Sequence, residues 1–260
     1  MALPAPGHAR LITIPFSHYC EKARWALDHA GVAYVEEAYL PGLHRRATRA
    51  VGGTSVPVLV TDEGRPLVDS ADILRYCDER APAERKLYPG DPGARREVEA
   101  IEAACNADLG VDARLFVYQQ PLSSPTSLVR ATRPGLTRLQ AALLPLAVPL
   151  VRSKIRAWYK VNEANVVRAL ETARRVFVEI GARLGKNRWL VGDRFTAADL
   201  TFASLGALVV APPGHPALSC DIDRAGPLRP IIEEMRATAA GAHLLRLYRE
   251  ERRSPGLRRG

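Results

Sequence analysis

The sequence predicts an α+β amino-terminal domain followed by an all-α carboxy-terminal helical bundle. Short apolar runs alternate with helix signals before about residue 80, whereas helical periodicity alone continues after the Pro- and Gly-rich segment at 81–93. The 260 residues suffice for two such domains. We therefore divide the chain into a domain at 8–80, a linker at 81–93, a helical domain at 94–248 and a basic tail at 249–260 that we expect to be disordered.

The elements predicted for the first domain follow the order βαβ and then ββα. Ser17 is suited to cap the first helix, and Gly31 is suited to end it. The polar turn at 62–65 between two apolar runs indicates a hairpin, so the last two strands should be antiparallel. A loop is expected around 41–53. The predicted strands span 11–14, 34–39, 56–61 and 66–68, and the predicted helices span 17–30 and 70–78. This order is typical of a thioredoxin-like domain.

The junction between the first strand and the first helix is the predicted active site. The positive end of the helix dipole lies there, where it would stabilise a thiolate or another small anion. The Ser17 hydroxyl lies beside the position of such an anion, and Cys20 follows in the same turn. A first-turn thiol can have a lowered pKa, although it commonly points inward. His18 either tunes this site or is an exposed residue without a role, and Glu21 and Arg24 are expected to form a local ion pair.

Two further motifs of this domain favour ligand binding. A proline in the strand that begins at Val56 removes a ladder donor, so we predict that Pro57 is cis and leaves the backbone of Val56 open to an extended ligand. An ordinary trans proline at the start of a strand is the alternative. Asp69 and Ser70 begin the next helix, where Ser70 is placed to cap and its backbone N–H is free to bind a carboxylate. The alternative is that the two residues only cap the helix.

The carboxy-terminal half contains helical patterns. An apolar stripe interrupted by Asp112 predicts one long helix that ends near Gln120. The spacing of apolar residues over 166–184 predicts another helix, which ends at a glycine. Thr196 and Asp199 form a capping-box pattern that begins a buried helix.

The composition indicates a globular protein with reduced thiols. The formal charge is +9, but only five of the 37 basic residues are Lys and no basic stripe is interleaved with aromatic residues, so no nucleic-acid partner is expected. The four cysteines lack the spacing of a zinc site or a disulfide framework, so no metal is expected. The amino terminus has no apolar segment of signal-peptide length and no run is long enough to span a membrane, so we expect a cytoplasmic protein.

Taken together, these motifs resemble those of the glutathione transferase superfamily over about residues 10–245. The motifs are Ser-x-x-Cys after the first strand, Val-Pro before the third strand, Asp-Ser before the next helix, and Gly-Asp-Arg-Phe-Thr-Ala-Ala-Asp at 192–199. The resemblance implies a glutathione-binding thioredoxin-like domain with an all-helical partner domain, as in other GST-like proteins.

The resemblance also implies roles for individual residues. Ser17 would donate a hydrogen bond to the glutathione sulfur. The backbone of Val56 would pair with the cysteinyl unit beside a cis Pro57. Asp69 and Ser70 would hold the γ-glutamyl end.

The sequence departs from the family pattern at Ser55, because relatives carry a basic residue just before the Val-Pro pair. His44, or Arg45 beside it, is a candidate to replace that charge at the glycine carboxylate of glutathione. We also assign His18 to the glutathione-binding residues, because it lies in the first turn beside the proposed sulfur site.

The implied reaction is conjugation of glutathione thiolate to a small hydrophobic electrophile, a detoxification chemistry, by a cytoplasmic homodimer. The electrophile would lie between Ser17 and helices that carry Tyr118 and Tyr159, unless these tyrosines are core or rim residues. The segment at 121–161 is a lid over this site, packed core or a dimer contact. Two other functions stay open: a glutathione-dependent thiol-disulfide reductase or peroxidase that uses Cys20, and a non-catalytic GST-like binding module.

Overall fold

The computed structural model describes residues 7–39, 41–113, 162–216 and 225–252, together with six isolated positions between 115 and 157. A four-stranded mixed sheet with its helices comes first, and the described chain after it is helical. The predicted fold class is therefore confirmed. The strands are β1 (Ala9–Thr13), β2 (Tyr34–Ala38), β3 (Val58–Val60) and β4 (Pro66–Leu67). The helices are α1 (His18–Ala30), α2 (His44–Arg49), α3 (Ser70–Arg80), α4 (Pro92–Ala107), α5 (Glu163–Leu184), α6 (Ala197–Val210), α7 (Arg229–Ala237) and α8 (Ala239–Glu250).

The strands of the sheet have the order β2-β1-β3-β4. β1 is parallel to β2 and antiparallel to β3, and the hairpin predicted between the last two strands is present as the antiparallel pair β3 and β4. The two central strands, β1 and β3, are buried along their whole length. α1 packs against α3 within the same domain and against α6 of the helical part, so this helix lies between the two halves of the molecule.

Local signals fix both ends of α1 as predicted. The Ser17 Oγ atom accepts a hydrogen bond from the Cys20 amide at 3.4 Å, which caps the first turn. Gly31 ends the helix in the left-handed conformation with φ of 72°, which glycine adopts without steric cost.

Two local predictions in the first domain differ from the structure. Asp69, rather than Ser70, caps α3, because its Oδ1 atom accepts a hydrogen bond from the Ala71 amide at 2.7 Å. The loop expected around 41–53 contains the short helix α2, which the flanking glycines concealed in the sequence.

The first helix of the second half is shorter than predicted. α4 ends at Ala107, and Asp108 interrupts the helical backbone before helical residues resume at Leu109. The predicted end near Gln120 lies outside the described residues. Among the described ranges, no helix is long and apolar enough to cross a membrane.

The predicted capping box at the start of α6 is confirmed. The Asp199 Oδ2 atom accepts hydrogen bonds from the Thr196 amide at 3.1 Å and the Thr196 hydroxyl at 3.0 Å. The other carboxylate oxygen accepts from the Leu190 amide at 3.1 Å and contacts His243 Nε2 at 3.0 Å. Every residue of α6 is buried, so this cap begins the helix at the centre of the helical part.

The basic tail predicted from residue 249 is wrong for its first four residues. α8 continues to Glu250, and the Arg252 amide donates to the Leu247 carbonyl at 3.1 Å. The Arg252 side chain is buried against α1 instead of extending into solvent. Residues 253–260 lie outside the described residues.

Candidate active site

One end of the sheet brings together the residues singled out in the sequence. β1, β2 and β4 end there, and β3 begins there, because β1 and β2 are parallel while β3 runs in the opposite direction. Four chain segments therefore meet at this end. They carry Ser17 after β1, His44 after β2, Val56 and Pro57 before β3, and Asp69 and Ser70 after β4.

The strand register specifies how these segments face one another. Ile12 pairs with Val58, so two further residues of the same register place Ile14 opposite Val56. Leu59 pairs with Leu67, and continuation of that register places Val56 opposite Ser70. Because the Ser17 amide donates to the Ile14 carbonyl at 3.1 Å, the turn that begins α1 lies at the same level.

The backbone at Val56 is open. The Val56–Pro57 peptide bond is cis, as predicted. Val56 lies before the first residue of β3 and is partly exposed. Neither its amide nor its carbonyl has a hydrogen-bond partner among the residues that the structure describes. The neighbouring Ser55 is exposed and supplies no charge.

The start of α3 offers donors that α3 does not use. Ser70 is buried, and neither its amide nor its hydroxyl bonds to another described residue. The first amides of a helix have no intrahelical acceptor, so the Ser70 amide can bind a carboxylate. Asp69 is exposed beside it, and one of its oxygens is occupied by the capping bond to Ala71.

Ser17 and Cys20, the two alternative reactive groups, are direct neighbours. The Ser17 side chain is partly exposed, whereas Cys20 has no exposed surface. Burial raises the pKa of the Cys20 thiol, although Arg24 and a hydrogen bond with the Ser17 side chain act in the opposite direction. The lowered pKa considered for Cys20 is therefore wrong, and the thiol points inward. Of these two groups, only the Ser17 hydroxyl is accessible to a ligand.

The two histidines of the predicted site are engaged with the protein. His18 is buried rather than exposed, and its Nε2 atom lies 2.7 Å from the Gly110 carbonyl oxygen. His44 is also buried, and its Nδ1 atom accepts a hydrogen bond from the Gly42 amide at 3.1 Å. Arg45 lies beside His44 in the sequence. Of these three residues, only Arg45 is exposed.

A buried ion pair joins α1 to α4 directly behind the first turn. The Lys22 Nζ atom lies 2.8 Å from the Glu102 Oε1 atom and 3.2 Å from the Asn106 Oδ1 atom. The Tyr88 hydroxyl donates to the other oxygen of Glu102 at 2.7 Å. Both charged side chains are almost fully buried, and burial lowers the pKa of Lys22 while Glu102 and Asp69 favour its charged form.

A second set of buried charges lies on the face of α1 opposite Lys22. Arg252 donates to Glu21 at 2.6 Å and to Asp28 at 2.7 Å. Arg24 lies 2.7 Å from the carboxylate of Glu36 on β2. The predicted pair of Glu21 and Arg24 is present at 3.6 Å, which is too long for a hydrogen bond, so each residue has its principal partner elsewhere.

These buried charge pairs are features of the site region that the sequence did not reveal. Lys22 and Glu102 are separated by 80 residues, and Glu21 and Arg252 by 231 residues. No local pattern pairs residues so far apart in the sequence. The only sequence signal for buried ion pairs was the presence of charged residues on both sides of α1, a helix that packs in the interior. Tyr118, Tyr159 and most of the segment at 121–161 lie outside the described residues. Within the described ranges, no group of three or more His, Cys, Asp or Glu side chains could hold a metal ion.

Comparison with known proteins identifies the family. The family models for the glutathione S-transferase N-terminal and C-terminal domains match residues 11–85 and 137–217. Curated proteins contain no match to the sequence.

Solved structures of the same fold cover nearly the whole chain. A glutathione S-transferase of Ceriporiopsis subvermispora in complex with glutathione is 16% identical, with a TM-score of 0.65 over 95% of this chain and 99% of that chain. A glutathione S-transferase of Methylobacterium radiotolerans in complex with glutathione sulfonate is 19% identical, with a TM-score of 0.54 over 92% and 94%. Ure2p in complex with S-p-nitrobenzylglutathione is 16% identical, with a TM-score of 0.58 over 93% and 95%. The chain belongs to the glutathione S-transferase superfamily.

Proposed function

We propose that this protein is a glutathione transferase that conjugates glutathione to a small hydrophobic electrophile. The observation that supports this proposal is the convergence of an open backbone at Val56, a partly exposed hydroxyl at Ser17 and unused donors at Ser70 on one end of the sheet. Glutathione is an extended tripeptide with a thiol at its centre and carboxylates at both ends, so it matches this order of groups. The glutathione-bound relatives of the same fold agree with this choice.

In the proposed complex, each part of glutathione has a recognisable partner. The amide and carbonyl of Val56 pair with the cysteinyl backbone, as in addition of a strand to a sheet edge. The Ser70 amide and hydroxyl bind the γ-glutamyl carboxylate, and the free oxygen of Asp69 binds the ammonium group. Arg45 binds the glycine carboxylate, since the Nδ1 atom of His44 already accepts the Gly42 amide.

The chemical role of Ser17 is to hold the sulfur as a thiolate. The thiol releases its proton to solvent, and the Ser17 hydroxyl donates to the sulfur anion while its oxygen still accepts from the Cys20 amide. The sulfur then donates its electron pair to an electrophilic carbon, and the leaving group departs with the electrons of the broken bond.

Thiolate formation alone explains little acceleration. A thiol with a pKa of about 8.5 is roughly 3% ionised at pH 7, and a pKa of about 6.5 raises that fraction to roughly three quarters, a gain of about 25-fold. The lower nucleophilicity of the more acidic thiol removes nearly a factor of 10 from that gain. Most of the acceleration must therefore come from holding the thiolate beside the bound electrophile.

The finer features predicted from the sequence and from the family resemblance belong to the same proposal. They are the division into domains at 8–80 and 94–248, a homodimer, a cytoplasmic location and a role in detoxification. Gel filtration at several protein concentrations tests the dimer, and a single monomeric peak at every concentration would contradict it.

Ser17→Gly and Ser17→Ala test the reaction in the full-length protein. Glycine keeps most of the capping energy of serine and loses the hydroxyl, whereas alanine loses both, so equal activity losses in the two variants separate chemistry from folding. We expect conjugation of a chloronitrobenzene to fall by at least tenfold in both variants. Cys20→Ser is the matched control and should retain activity.

The possible results distinguish the functions left open by the sequence. A loss of activity in Cys20→Ser but not in Ser17→Gly would favour thiol-disulfide chemistry. Retention on immobilised glutathione without turnover of any electrophile would indicate a binding module. A wild-type protein that does not bind glutathione at all would refute the proposal.

A further inference from the structure

Arg252, two residues after α8, contacts α1 across a separation of 231 residues in the sequence. Its side chain is 2% exposed, and its guanidinium group lies between two carboxylates of α1, Glu21 and Asp28. The guanidinium carbon also lies 5.6 Å from the centre of the Trp25 ring. The end of the described chain is thus bonded to the helix that carries Ser17 at its amino terminus.

The negative charge of Glu21 disfavours the binding of an anion at the start of α1. The Glu21 amide donates to the Ser17 carbonyl at 2.9 Å, so this residue lies one helical turn from Ser17. Its carboxylate is fully buried, and a second anion at the same helix terminus would be repelled by it. The groups that face this carboxylate are Arg252 at 2.6 Å, Arg24 at 3.6 Å and the imidazole of His215.

Arg252 keeps Glu21 ionised and compensates its charge. Burial favours the neutral form of Glu21, but the charge of Arg252 outweighs burial, so the pKa of Glu21 lies below its ordinary value. Arg24 contributes less because it lies farther from this carboxylate, at 3.6 Å, than Arg252 does at 2.6 Å. Burial lowers the pKa of His215 to about 4, so this imidazole is neutral at pH 7 and does not compensate Glu21.

We propose that Arg252 is a positioning residue for the glutathione thiolate, because it neutralises the carboxylate of Glu21 behind the Ser17 turn. This inference rests on the proposed function. Without Arg252, Arg24 at 3.6 Å still favours the ionised form of Glu21, and the remaining negative charge would repel the sulfur anion. For two unit charges about 10 Å apart at an effective dielectric constant of about 20, full ionisation of Glu21 would raise the thiol pKa by about one unit, which is the upper limit of the effect.

The test measures the pKa of enzyme-bound glutathione from the ultraviolet absorbance of its thiolate as a function of pH. Wild type is compared with Arg252→Gln, Arg252→Lys and the double variant Glu21→Gln/Arg252→Gln. Arg249→Gln is the matched control. This arginine lies in the last turn of α8, is exposed, and contacts only Glu250 among the described residues. Circular dichroism verifies that each variant is folded.

We expect Arg252→Gln to raise the bound thiol pKa by up to about one unit, and Arg252→Lys to raise it by less than half as much. The double variant should return the pKa close to the wild-type value, since it removes the Glu21 charge together with Arg252, and since Asp28, the other partner of Arg252, lies about two helical turns farther along α1. A purely structural role predicts the opposite, because the double variant loses the same contacts as Arg252→Gln. A shift that persists in the double variant, or an unchanged pKa in a folded Arg252→Gln, overturns the inference alone. A wild type that does not bind glutathione overturns the proposed function and this inference together.

Discussion

Glu102→Gln is the substitution that most directly tests the buried polar contact between α1 and α4. It leaves the shape of the side chain almost unchanged but removes the negative charge 2.8 Å from the Lys22 Nζ atom. Glutamine can still accept a hydrogen bond from Lys22 through its oxygen, and its amide nitrogen can donate to the Tyr88 hydroxyl oxygen. The variant therefore isolates the charge of the pair from its packing.

The size of the effect follows from the burial of both groups. Lys22 has no exposed side-chain surface and Glu102 only 3%, and removal of one partner of a buried pair costs about 3–5 kcal/mol. Lys22 can avoid part of this penalty by releasing its proton. That release costs about 4.6 kcal/mol at pH 7 and about 1.9 kcal/mol at pH 9 for an unfolded-state pKa of about 10.4.

The sign of the pH dependence follows from the lowered pKa of Lys22 in the folded protein. The unfolded chain binds this proton more tightly than the folded chain, so the stability of the variant rises with pH until the unfolded lysine also titrates. We expect Glu102→Gln to lose about 3–5 kcal/mol of unfolding free energy at pH 7 and less than about 2 kcal/mol at pH 9.

Urea denaturation followed by circular dichroism at both pH values provides the measurement. Glu99→Gln is the matched control on the same helix, because its pair with Arg95 is exposed and should contribute less than about 0.5 kcal/mol. The double variant Lys22→Met/Glu102→Leu should recover at least half of the loss, since no charge is left buried. A loss below about 1 kcal/mol at pH 7, or an equal loss at both pH values, would refute the reasoning.

Three other predictions concern single residues. Cys20→Ser should leave conjugation within about twofold of wild type, and the wild-type Cys20 thiol should react with a thiol reagent only on unfolding, because burial raises its pKa; fast labelling of the folded protein at this residue would contradict this. Gly110→Ala should destabilise the protein by about 1–3 kcal/mol, because the new Cβ atom would overlap the Tyr19 hydroxyl oxygen. Gly90→Ala is the control, because a Cβ atom at this position has no other atom within 4 Å. The pKa of His215 is about 4 in the folded protein, so protonation of this residue in the unfolded chain should remove about 3 kcal/mol of stability between pH 6.5 and pH 4. The variant His215→Asn should lack this part of the acid destabilisation. An identical dependence of unfolding free energy on pH in the two proteins would exclude this role of His215.

The features that could be predicted from the sequence are those with a local cause. The cap at Ser17, the stop at Gly31 and the box of Thr196 and Asp199 each depend on residues no more than four positions apart, and each is present. The hairpin of β3 and β4 and the cis bond before Pro57 likewise follow from short motifs. The Ser17 cap, the cis bond before Pro57 and the hairpin position most of the predicted site residues, so the candidate site could be placed at one end of the sheet.

The features that could not be predicted depend on distant partners. For His18, one of the alternatives was an exposed first-turn residue, but the Gly110 carbonyl makes its burial possible. Lys22 belongs to a charged stretch typical of a solvated helix face, yet Glu102 and Asn106 supply its counter-charge and hydrogen bonds in the interior. Arg252 lies within the stretch that the sequence predicts as a disordered basic tail, because nothing near it in the sequence indicates the carboxylates on α1.

The outermost strand β2 bears on how the folded protein avoids aggregation. Its consecutive glutamates reach opposite faces of the sheet, where Glu36 bonds to Thr13 at 2.6 Å and Glu37 accepts from the Tyr39 hydroxyl at 3.0 Å. A foreign strand that added to this edge would have to desolvate the carboxylate of Glu37, whose side chain is 32% exposed, and this disfavours growth of the sheet from one molecule into the next. Neutralisation of Glu37 should therefore promote self-association of the native protein.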